Sequence, residues 1–226
     1  MKDLSVNAKA VRKDLKLPSY TKSEEIFNAI SHGVGIIASV ICAFFLFKVS
    51  PFNIHFLLCY SIYAITFFLL YSVSTIYHAL PLKKIKSIFR KFDHCSIFLF
   101  IAGTYTPICM LLIKGKSGPI ILIAAWIIAA LGVSLNLIDV NKFAKLSLIS
   151  YLTMGWLVVI TFKPLIERLS RFQLLMLFGG GLAYTIGALI YVIGKKVKFM
   201  HSIWHIFVLI GSIFHFILVY SSSMNV

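Results

Sequence analysis

Seven apolar runs, each about as long as a membrane-spanning helix, most constrain how this chain can fold. They cover approximately residues 26–47, 54–80, 92–113, 118–138, 146–162, 173–193 and 201–220. A helix needs about 20 apolar residues to cross the hydrocarbon core of a bilayer. The runs are continuously apolar, whereas strands of a membrane β-barrel alternate apolar and polar residues. The sequence therefore predicts an all-α membrane protein, a seven-transmembrane helix bundle in which each helix is antiparallel to the next.

The composition agrees with a membrane protein and argues against other classes. Hydrophobic residues make up 60% of the 226 residues and charged residues only 13%, whereas soluble domains have about a quarter charged residues. The net charge of +15 does not indicate nucleic-acid binding, because the 22 Lys and Arg residues lie in short patches between apolar runs. The four cysteines lie singly in apolar segments, without a CxxC pair, and are interpreted as packing residues.

The distribution of Lys and Arg predicts the orientation of the bundle. Residues 1–25 and the second, fourth and sixth connections carry 16 of the 22 basic residues, and the opposite side carries six. The positive-inside rule therefore places the N-terminus in the cytoplasm and the C-terminus outside. We interpret residues 1–25 as a basic cytoplasmic tail without a cleaved signal peptide, and residues 26–226 as the seven-helix transmembrane domain.

A dense basic loop is predicted between the second and third runs. Its basic residues are Lys83, Lys84, Lys86, Arg90 and Lys91. We expect these charges to set the topology, in preference to attracting anionic lipid headgroups.

Ionisable residues are predicted to meet at the cytoplasmic end of the membrane region. His78 lies near the end of the second run, Asp93 near the start of the third, and His201 and His205 at the start of the seventh. Such residues are costly inside a membrane and indicate a functional site. His201 and His205 share one helix face, about 6 Å apart in rise, so both can meet one ion. With His78 they offer the three imidazoles of an open zinc site, although interhelical hydrogen bonding explains the spacing equally well.

Two further residues are candidates for the chemistry of this site. Asp93 can complete the ligand shell or hydrogen-bond a zinc-bound water. Ser74, one helical turn before His78, can orient that ligand or touch a substrate.

Other polar positions have more than one interpretation. Glu25, Asn28 and His32 share one face of the first helix, where they either support the site or form a polar seam within the bundle. His94 points about 100° away from the preceding residue and is interpreted as a helix-interface residue. His215 lies about 21 Å beyond the first histidine of its helix and is predicted to make an interhelical hydrogen bond.

Small residues and one proline predict local packing. Gly179, Ala183 and Gly187 recur every four residues on the sixth run, which favours close helix contact within the bundle. Pro107 predicts a kink in the third helix.

Five ordered motifs resemble the hemolysin III family. They are EEIFNAISH at 24–32, STIYH at 74–78, FRKFDHCSIFLFIAGTYTP at 89–107, GGGLAYTIGALIY at 179–191 and HSIWH at 201–205. That family is the bacterial branch of the progestin and adiponectin receptor-like proteins, which are related to alkaline ceramidases. The resemblance extends from about residue 24 to the end of the chain. It implies a multi-pass protein of the bacterial inner (plasma) membrane.

The resemblance also implies a zinc site and a reaction. In the receptor relatives a Zn²⁺ ion is held by positions that match His78, His201 and His205, and the position that matches Asp93 lies close to the zinc-bound water. Such sites are linked to hydrolysis of lipid amides, particularly ceramide. We therefore expect a zinc-dependent hydrolase of lipid amide or ester bonds with a role in membrane lipid homeostasis. Membrane lipids, including a ceramide-like or acyl lipid substrate, are its expected partners, and the sequence indicates no protein partner.

Two alternatives use the same residues differently. A non-catalytic membrane sensor or receptor-like protein with a structural zinc needs the same ligands. A cytolytic (hemolysin) function follows from the family's name, but no secretion signal is apparent and the spans are too apolar to line a wide aqueous channel. A retinal pump is excluded, because residues 201–220 contain no Lys for a Schiff base.

Overall fold

A computed structural model describes residues 17–113, 115–194 and 197–224. In these residues the chain forms seven long helices and no strand. The helices are α1 Lys22–Val49, α2 Ile54–Ala79, α3 Lys83–Pro107, α4 Ser117–Asp139, α5 Ala144–Trp156, α6 Arg171–Ile193 and α7 Met200–Ser223. The predicted all-α, seven-helix architecture is confirmed. Residues 1–16 of the predicted tail lie outside the described residues.

Two of the helices continue in altered geometry. A π-helical turn, Ile108–Leu112, extends α3 directly after Pro107, where the sequence predicts a distortion. A 3-10 helix, Leu157–Thr161, and a short α-helix, Phe162–Ile166, extend α5. With these extensions, all seven helices are long and apolar enough to cross a membrane.

The side chains of the bundle are arranged as in a membrane-embedded protein. On α1, Asn28, His32 and Ser39 are buried, whereas Ile30 and Ile37 are each 62% exposed. Polar groups turn inward because the hydrocarbon core offers them no hydrogen-bond partners. The outward apolar side chains are suited to contact with lipid.

Side-chain caps place the starts of two helices. Thr21 Oγ1 accepts a hydrogen bond from Glu24 N, and Glu24 Oε2 accepts one from Thr21 N. This capping box begins α1 at Lys22, four residues before the predicted boundary. Ser170 and Gln173 form the same reciprocal pair at the start of α6.

The basic segment predicted as a loop is helical. Helix α3 begins at Lys83 and contains all five basic residues of that segment. The prediction of a loop was wrong because charge alone does not break a helix, and Lys and Arg are good helix formers. Lys86, moreover, is buried and only 6% exposed.

The helices pack largely as sequence neighbours around a closed bundle. The pairs α1–α2, α2–α3, α3–α4 and α6–α7 make extensive contacts, and α1 packs against α7 to join the two ends of the chain. Tyr63, Phe67 and Tyr71 of α2 are fully buried in the centre. The contact between α1, α2 and α7 brings together the residues of the candidate site.

Small residues allow α6 and α7 to approach closely. A Cβ atom at Gly187 would lie 2.9 Å from the Cβ of Phe207, and one at Gly180 would lie 2.4 Å from the His215 ring. Of the small residues predicted for this role, Gly187 therefore makes a close contact, whereas a Cβ atom at Gly179 would meet Phe214 only at 3.7 Å, and the close approach at Gly180 was not predicted. The four cysteines are free and buried, as expected for packing residues.

Candidate metal centre

Three histidines meet at the end of the bundle where α1, α3 and α7 begin and α2 ends. His78 lies in the last turn of α2, and His201 and His205 lie in the first two turns of α7. His201 Nε2 is 3.4 Å from His78 Nε2 and 3.1 Å from His205 Nε2. One ring nitrogen from each histidine lies within 4.8 Å of the other two. The structure thus brings together the three histidines that the sequence predicted as metal ligands.

Two of the three separations between these nitrogens match a tetrahedral metal ion. A zinc ion with Zn–N distances of about 2.0–2.1 Å holds its nitrogen ligands about 3.3 to 3.4 Å apart. The observed 3.4 and 3.1 Å separations are close to that value. His78 and His205 are buried, which limits competition from bulk water. The cluster can therefore hold one divalent ion with a fourth position open.

Asp93 and Ser74 lie beside the histidine cluster. Asp93 is buried on α3, and its carboxylate interacts electrostatically with His78. Ser74 is buried one turn before His78, and its Oγ faces Asp93 without a hydrogen bond of regular geometry. The group of possible ligand atoms consists of the three histidine nitrogens and does not include the Asp93 carboxylate, so Asp93 belongs to the surroundings of the cluster. This position suits a group that acts on a molecule bound at the open position.

Helix α1 contacts two of the three histidines. Glu25 Oε2 lies 2.8 Å from His78 Nδ1, and Ser31 Oγ lies 3.3 Å from His205 Nδ1. The ring of His32 stacks on that of His205, with centroids 3.6 Å apart. Glu25 and His32 were predicted either to support the site or to form a polar seam, and both side chains contact the cluster. Ser31 was not predicted, because a serine in an apolar helix carries no distinguishing signal.

Asn28 connects α1 to both neighbouring helices. Its Nδ2 lies 3.4 Å from His78 Nδ1, and its Oδ1 accepts a 2.6 Å hydrogen bond from Ser202 Oγ on α7. Asn28 and Ser202 are both buried. The amide thereby links α2, α1 and α7 at the level of the cluster.

Lys86 holds Glu25 in place and caps α2. Its ammonium lies 3.0 Å from Glu25 Oε1 and donates hydrogen bonds to the carbonyls of Tyr77 and His78, at 2.9 and 3.2 Å. These acceptors make the burial of a lysine tolerable. The sequence predicted Lys86 only as a loop charge, because its acceptors lie on other helices.

Tyr20 covers the cluster from the segment that precedes α1. Its ring stacks on His201, with centroids 4.9 Å apart and planes 28° apart, and lies 5.9 Å from the ring of His78. Burial raises the pKa of the Tyr20 phenol, so the ring stays uncharged at neutral pH. Tyr20 was predicted as part of the tail, and no sequence signal connects it with the site.

A cavity of about 150 Å³ extends from the cluster into the bundle. Tyr77, Arg90, Asp93 and His201 line its polar end, and most of its remaining wall is apolar. His215 also lines the cavity and lies about 21 Å from His201 along α7. The cavity therefore runs along about two-thirds of the roughly 30 Å hydrocarbon thickness of a bilayer.

The other histidines lie outside the cluster. His215 Nε2 bonds to the carbonyl of Leu177 on α6 at 3.2 Å, which confirms the predicted interhelical hydrogen bond. His94 lines the cavity, and its Nδ1 is buried without a hydrogen-bond partner among the described residues. Neither residue contributes to the three-histidine group.

Seven membrane-spanning helices with a buried histidine cluster at one end define a heptahelical membrane protein with a candidate metal site inside the bundle. Residues 20–216 match the profile of the family described as Haemolysin-III related. The chain belongs to this hemolysin III family and is a multi-pass membrane protein.

Named relatives agree with this assignment. The chain is 40% identical to the Hemolysin-3 homolog of Bacillus subtilis over 195 residues. The aligned residues make up 85% of this chain and 91% of that protein. It is 37% identical to Hemolysin-3 of Bacillus cereus over 191 residues, and the aligned residues make up 84% of this chain and 87% of that protein. It is also similar to the human monocyte to macrophage differentiation factor, at 29% identity over 162 residues, 69% of this chain and 66% of that one.

Proposed function

We propose that this protein is a zinc-dependent hydrolase that cleaves an amide or ester bond of a membrane lipid, in the manner of a ceramidase, and contributes to membrane lipid homeostasis. One observation carries the proposal. Three histidine nitrogens lie within 4.8 Å of one another at the polar end of a long apolar cavity within a membrane-spanning bundle, and two of their three separations match a tetrahedral zinc site. This combination supports hydrolytic chemistry on a membrane lipid.

His78, His201 and His205 would hold the metal. A zinc ion bound by three imidazoles polarises a carbonyl oxygen and lowers the pKa of water to about 7. The two α7 histidines are on one helix face and the third comes from α2, so the ligand set depends on the contact between these helices. The buried surroundings strengthen the electrostatic interactions of the site.

Asp93 would act as the proton-transfer group. Its carboxylate takes the proton of a water molecule whose oxygen attacks the carbonyl carbon of the lipid. As the carbon–nitrogen or carbon–oxygen bond breaks, Asp93 returns that proton to the leaving nitrogen or oxygen. The products are a fatty acid and an amine or alcohol. Ser74, which faces Asp93, would orient the carboxylate or touch the substrate.

The cavity supports a lipid substrate. An acyl chain that enters from the bilayer gains little from the hydrophobic effect, because it is already surrounded by hydrocarbon. Recognition must therefore come from the shape of the cavity and from its polar end, which Tyr77, Arg90 and Asp93 line.

The proposal includes a cellular setting. The relatives from Bacillus and the excess of basic residues at the cluster end of the bundle support a bacterial plasma membrane protein with that end in the cytoplasm. A substrate would then be cleaved on the cytoplasmic side of the membrane.

The metal assignment is tested by the zinc content of the purified full-length protein. We expect one zinc ion per chain in the wild type and almost none in the His201→Ala, His205→Ala double variant. His55→Ala is the control, because His55 is exposed at the opposite end of α2 and should leave the zinc content unchanged. Full zinc occupancy in the double variant would refute the assignment.

The reaction is tested by release of fatty acid from ceramides and acyl lipids in vesicles. We expect Asp93→Asn to retain zinc and to lose about 10²- to 10⁴-fold in turnover, the range for general acid–base catalysis. Asp139→Asn is a matched control, since Asp139 lies at the end of α4, where its carboxylate accepts hydrogen bonds from Asn141 N and Lys142 N. If the zinc-loaded wild type releases no fatty acid from any lipid tested, a sensor with a structural zinc replaces the hydrolase.

A further inference from the structure

Helix α1 contributes no nitrogen to the histidine cluster, yet it contacts the Nδ1 atoms of two of its members. Glu25 Oε2 is 2.8 Å from His78 Nδ1, and Ser31 Oγ is 3.3 Å from His205 Nδ1. A ring nitrogen that carries a proton leaves the other nitrogen of a neutral imidazole with a free lone pair. The partners on α1 therefore decide which nitrogens can bind a metal.

The contact with Glu25 places a proton on His78 Nδ1. Glu25 Oε1 is paired with the Lys86 ammonium at 3.0 Å, and an ionised carboxylate can only accept hydrogen bonds. Its 2.8 Å contact with His78 Nδ1 therefore requires an N–H donor on the ring. Asn28 Nδ2 lies farther from the same nitrogen, at 3.4 Å. His78 Nε2 is left with a lone pair, 3.4 Å from His201 Nε2.

The contact with Ser31 has the same consequence for His205. The Ser31 hydroxyl donates its one proton to the carbonyl of Asn28 at 3.0 Å, so it can only accept from His205 Nδ1. The Asn28 carbonyl also interacts with the His205 ring. His205 Nε2 is thus left with a lone pair, 3.1 Å from His201 Nε2.

Two lone pairs consequently face one nitrogen of His201. A single N–H on His201 Nε2 can satisfy only one of them, and a cation can satisfy both. We infer that Glu25 and Ser31 of α1 are positioning residues of the metal centre, which hold His78 and His205 in the tautomers and ring orientations that direct both Nε2 lone pairs at the ion. This inference rests on the metal binding in the proposed function, but not on the hydrolytic reaction.

Lys86 supports Glu25 from α3. Its ammonium pairs with Glu25 and bonds to the carbonyls of Tyr77 and His78, which end α2. Removing Lys86 should therefore loosen the packing of α1, α2 and α3 while leaving the Glu25 carboxylate opposite His78. The two residues can be tested separately.

The first test measures the dissociation constant of Zn²⁺ for the purified full-length protein by competition with a chromophoric chelator. We expect Glu25→Gln to raise this constant about 10- to 100-fold, the usual effect of losing a partner of a metal-bound histidine. A glutamine can also offer an N–H to His78 Nδ1, which moves the ring proton to Nε2 and blocks the lone pair. Ser31→Ala should have a smaller effect, because the Asn28 carbonyl remains near the His205 ring.

Glu24→Gln is the matched control. Glu24 is the neighbouring acid on α1, but its carboxylate accepts hydrogen bonds from Phe199 N and Thr21 N and does not contact a histidine of the cluster. It should alter the unfolding temperature without changing the zinc dissociation constant. Glu25→Asp should restore part of the affinity lost in Glu25→Gln, because it keeps the negative charge on a shorter side chain.

Cobalt provides a spectroscopic readout that a purely structural role would not change. In the Co²⁺-loaded protein, Glu25→Gln should shift the visible absorption bands, which respond to ligand orientation, whereas Glu24→Gln should leave them unchanged. Lys86→Met should lower the unfolding temperature of the metal-free protein. It should raise the zinc dissociation constant less than Glu25→Gln does.

The outcomes separate this inference from the proposed function. Unchanged zinc affinity and cobalt bands in Glu25→Gln, with normal zinc binding by the wild type, would overturn the inference alone. Equal loss of affinity in Lys86→Met and Glu25→Gln would also overturn it, because Glu25 would then act through helix packing. A wild type that binds no zinc would overturn both proposals, and zinc binding without hydrolysis would overturn only the reaction.

Discussion

Substitution of Gly35 by alanine tests the close contact between α1 and α2 next to the metal centre. A Cβ atom at Gly35 would lie 2.0, 2.4 and 2.5 Å from three ring carbons of Tyr71. A Cβ atom at Gly33, two residues earlier on the same helix, would have nothing within 4 Å. Comparison of the two variants therefore separates packing from the change in helix propensity, which both variants share.

The size of the effect follows from the surroundings of Tyr71. Its ring would have to move by roughly 1.5 to 2 Å, because carbon atoms pack at about 3.5 to 4.0 Å and the closest contact is 2.0 Å. The ring is fully buried, touches His32 edge-on at 4.9 Å, and its hydroxyl is 2.8 Å from Ser212 Oγ. Overpacking costs about 1–3 kcal/mol, and the strained hydrogen bond about 1 kcal/mol more. We expect Gly35→Ala to be less stable than Gly33→Ala by about 2–4 kcal/mol.

The assay is unfolding in mixed micelles by titration with a denaturing detergent, monitored by tryptophan fluorescence. The wild type and both variants are compared by their free energies of unfolding. Gly33→Ala should match the wild type or be more stable by up to about 1 kcal/mol. Free energies for the two variants that agree within about 0.5 kcal/mol would refute the close packing of Gly35 against Tyr71.

Three other predictions follow from the same structure. A reporter that is active only in the cytoplasm should be silent after the last residue of the chain, and activity there would contradict the predicted orientation. If free zinc is first present at 100 times its dissociation constant, its removal by a chelator should destabilise the wild type by about 2.7 kcal/mol and leave the His201→Ala, His205→Ala variant unchanged. Equal shifts of the two proteins in thermal melts would argue against a specific site. Gly180→Ala, whose Cβ would lie 2.4 Å from His215, should be less stable than Gly181→Ala, whose Cβ would reach Trp156 only at 3.7 Å, by about 1–3 kcal/mol in detergent unfolding; equal stability would refute the packing of α6 on α7.

The basic segment at the start of α3 shows that the length of an apolar run does not predict where a helix begins. The third apolar run starts near residue 92, whereas α3 starts at Lys83. An apolar run marks only the part of a helix that favours the bilayer core, and the helix can extend into the interface, where lysine and arginine are tolerated. The burial of Lys86 was not predictable, because it depends on acceptors from α1 and α2.

The sequence by itself determined the number of helices and the part of the candidate site that lies on a single helix. Seven helices follow from apolar length, because a chain in hydrocarbon must satisfy its backbone within each span. The HxxxH pair at His201 and His205 likewise follows from the repeat of a single helix. The placement of His78 and Asp93 at the same end required only the alternation of helix direction.

Contacts between helices were decided by the tertiary structure alone. The stacking of Tyr20 on His201, the hydrogen bond that Glu25 accepts from His78, and the approach of Ser31 to His205 join positions more than 50 residues apart. Each depends on the rotation and depth of one helix relative to another. Those quantities are set by how whole helix surfaces pack, and a single helix repeat carries no information about them.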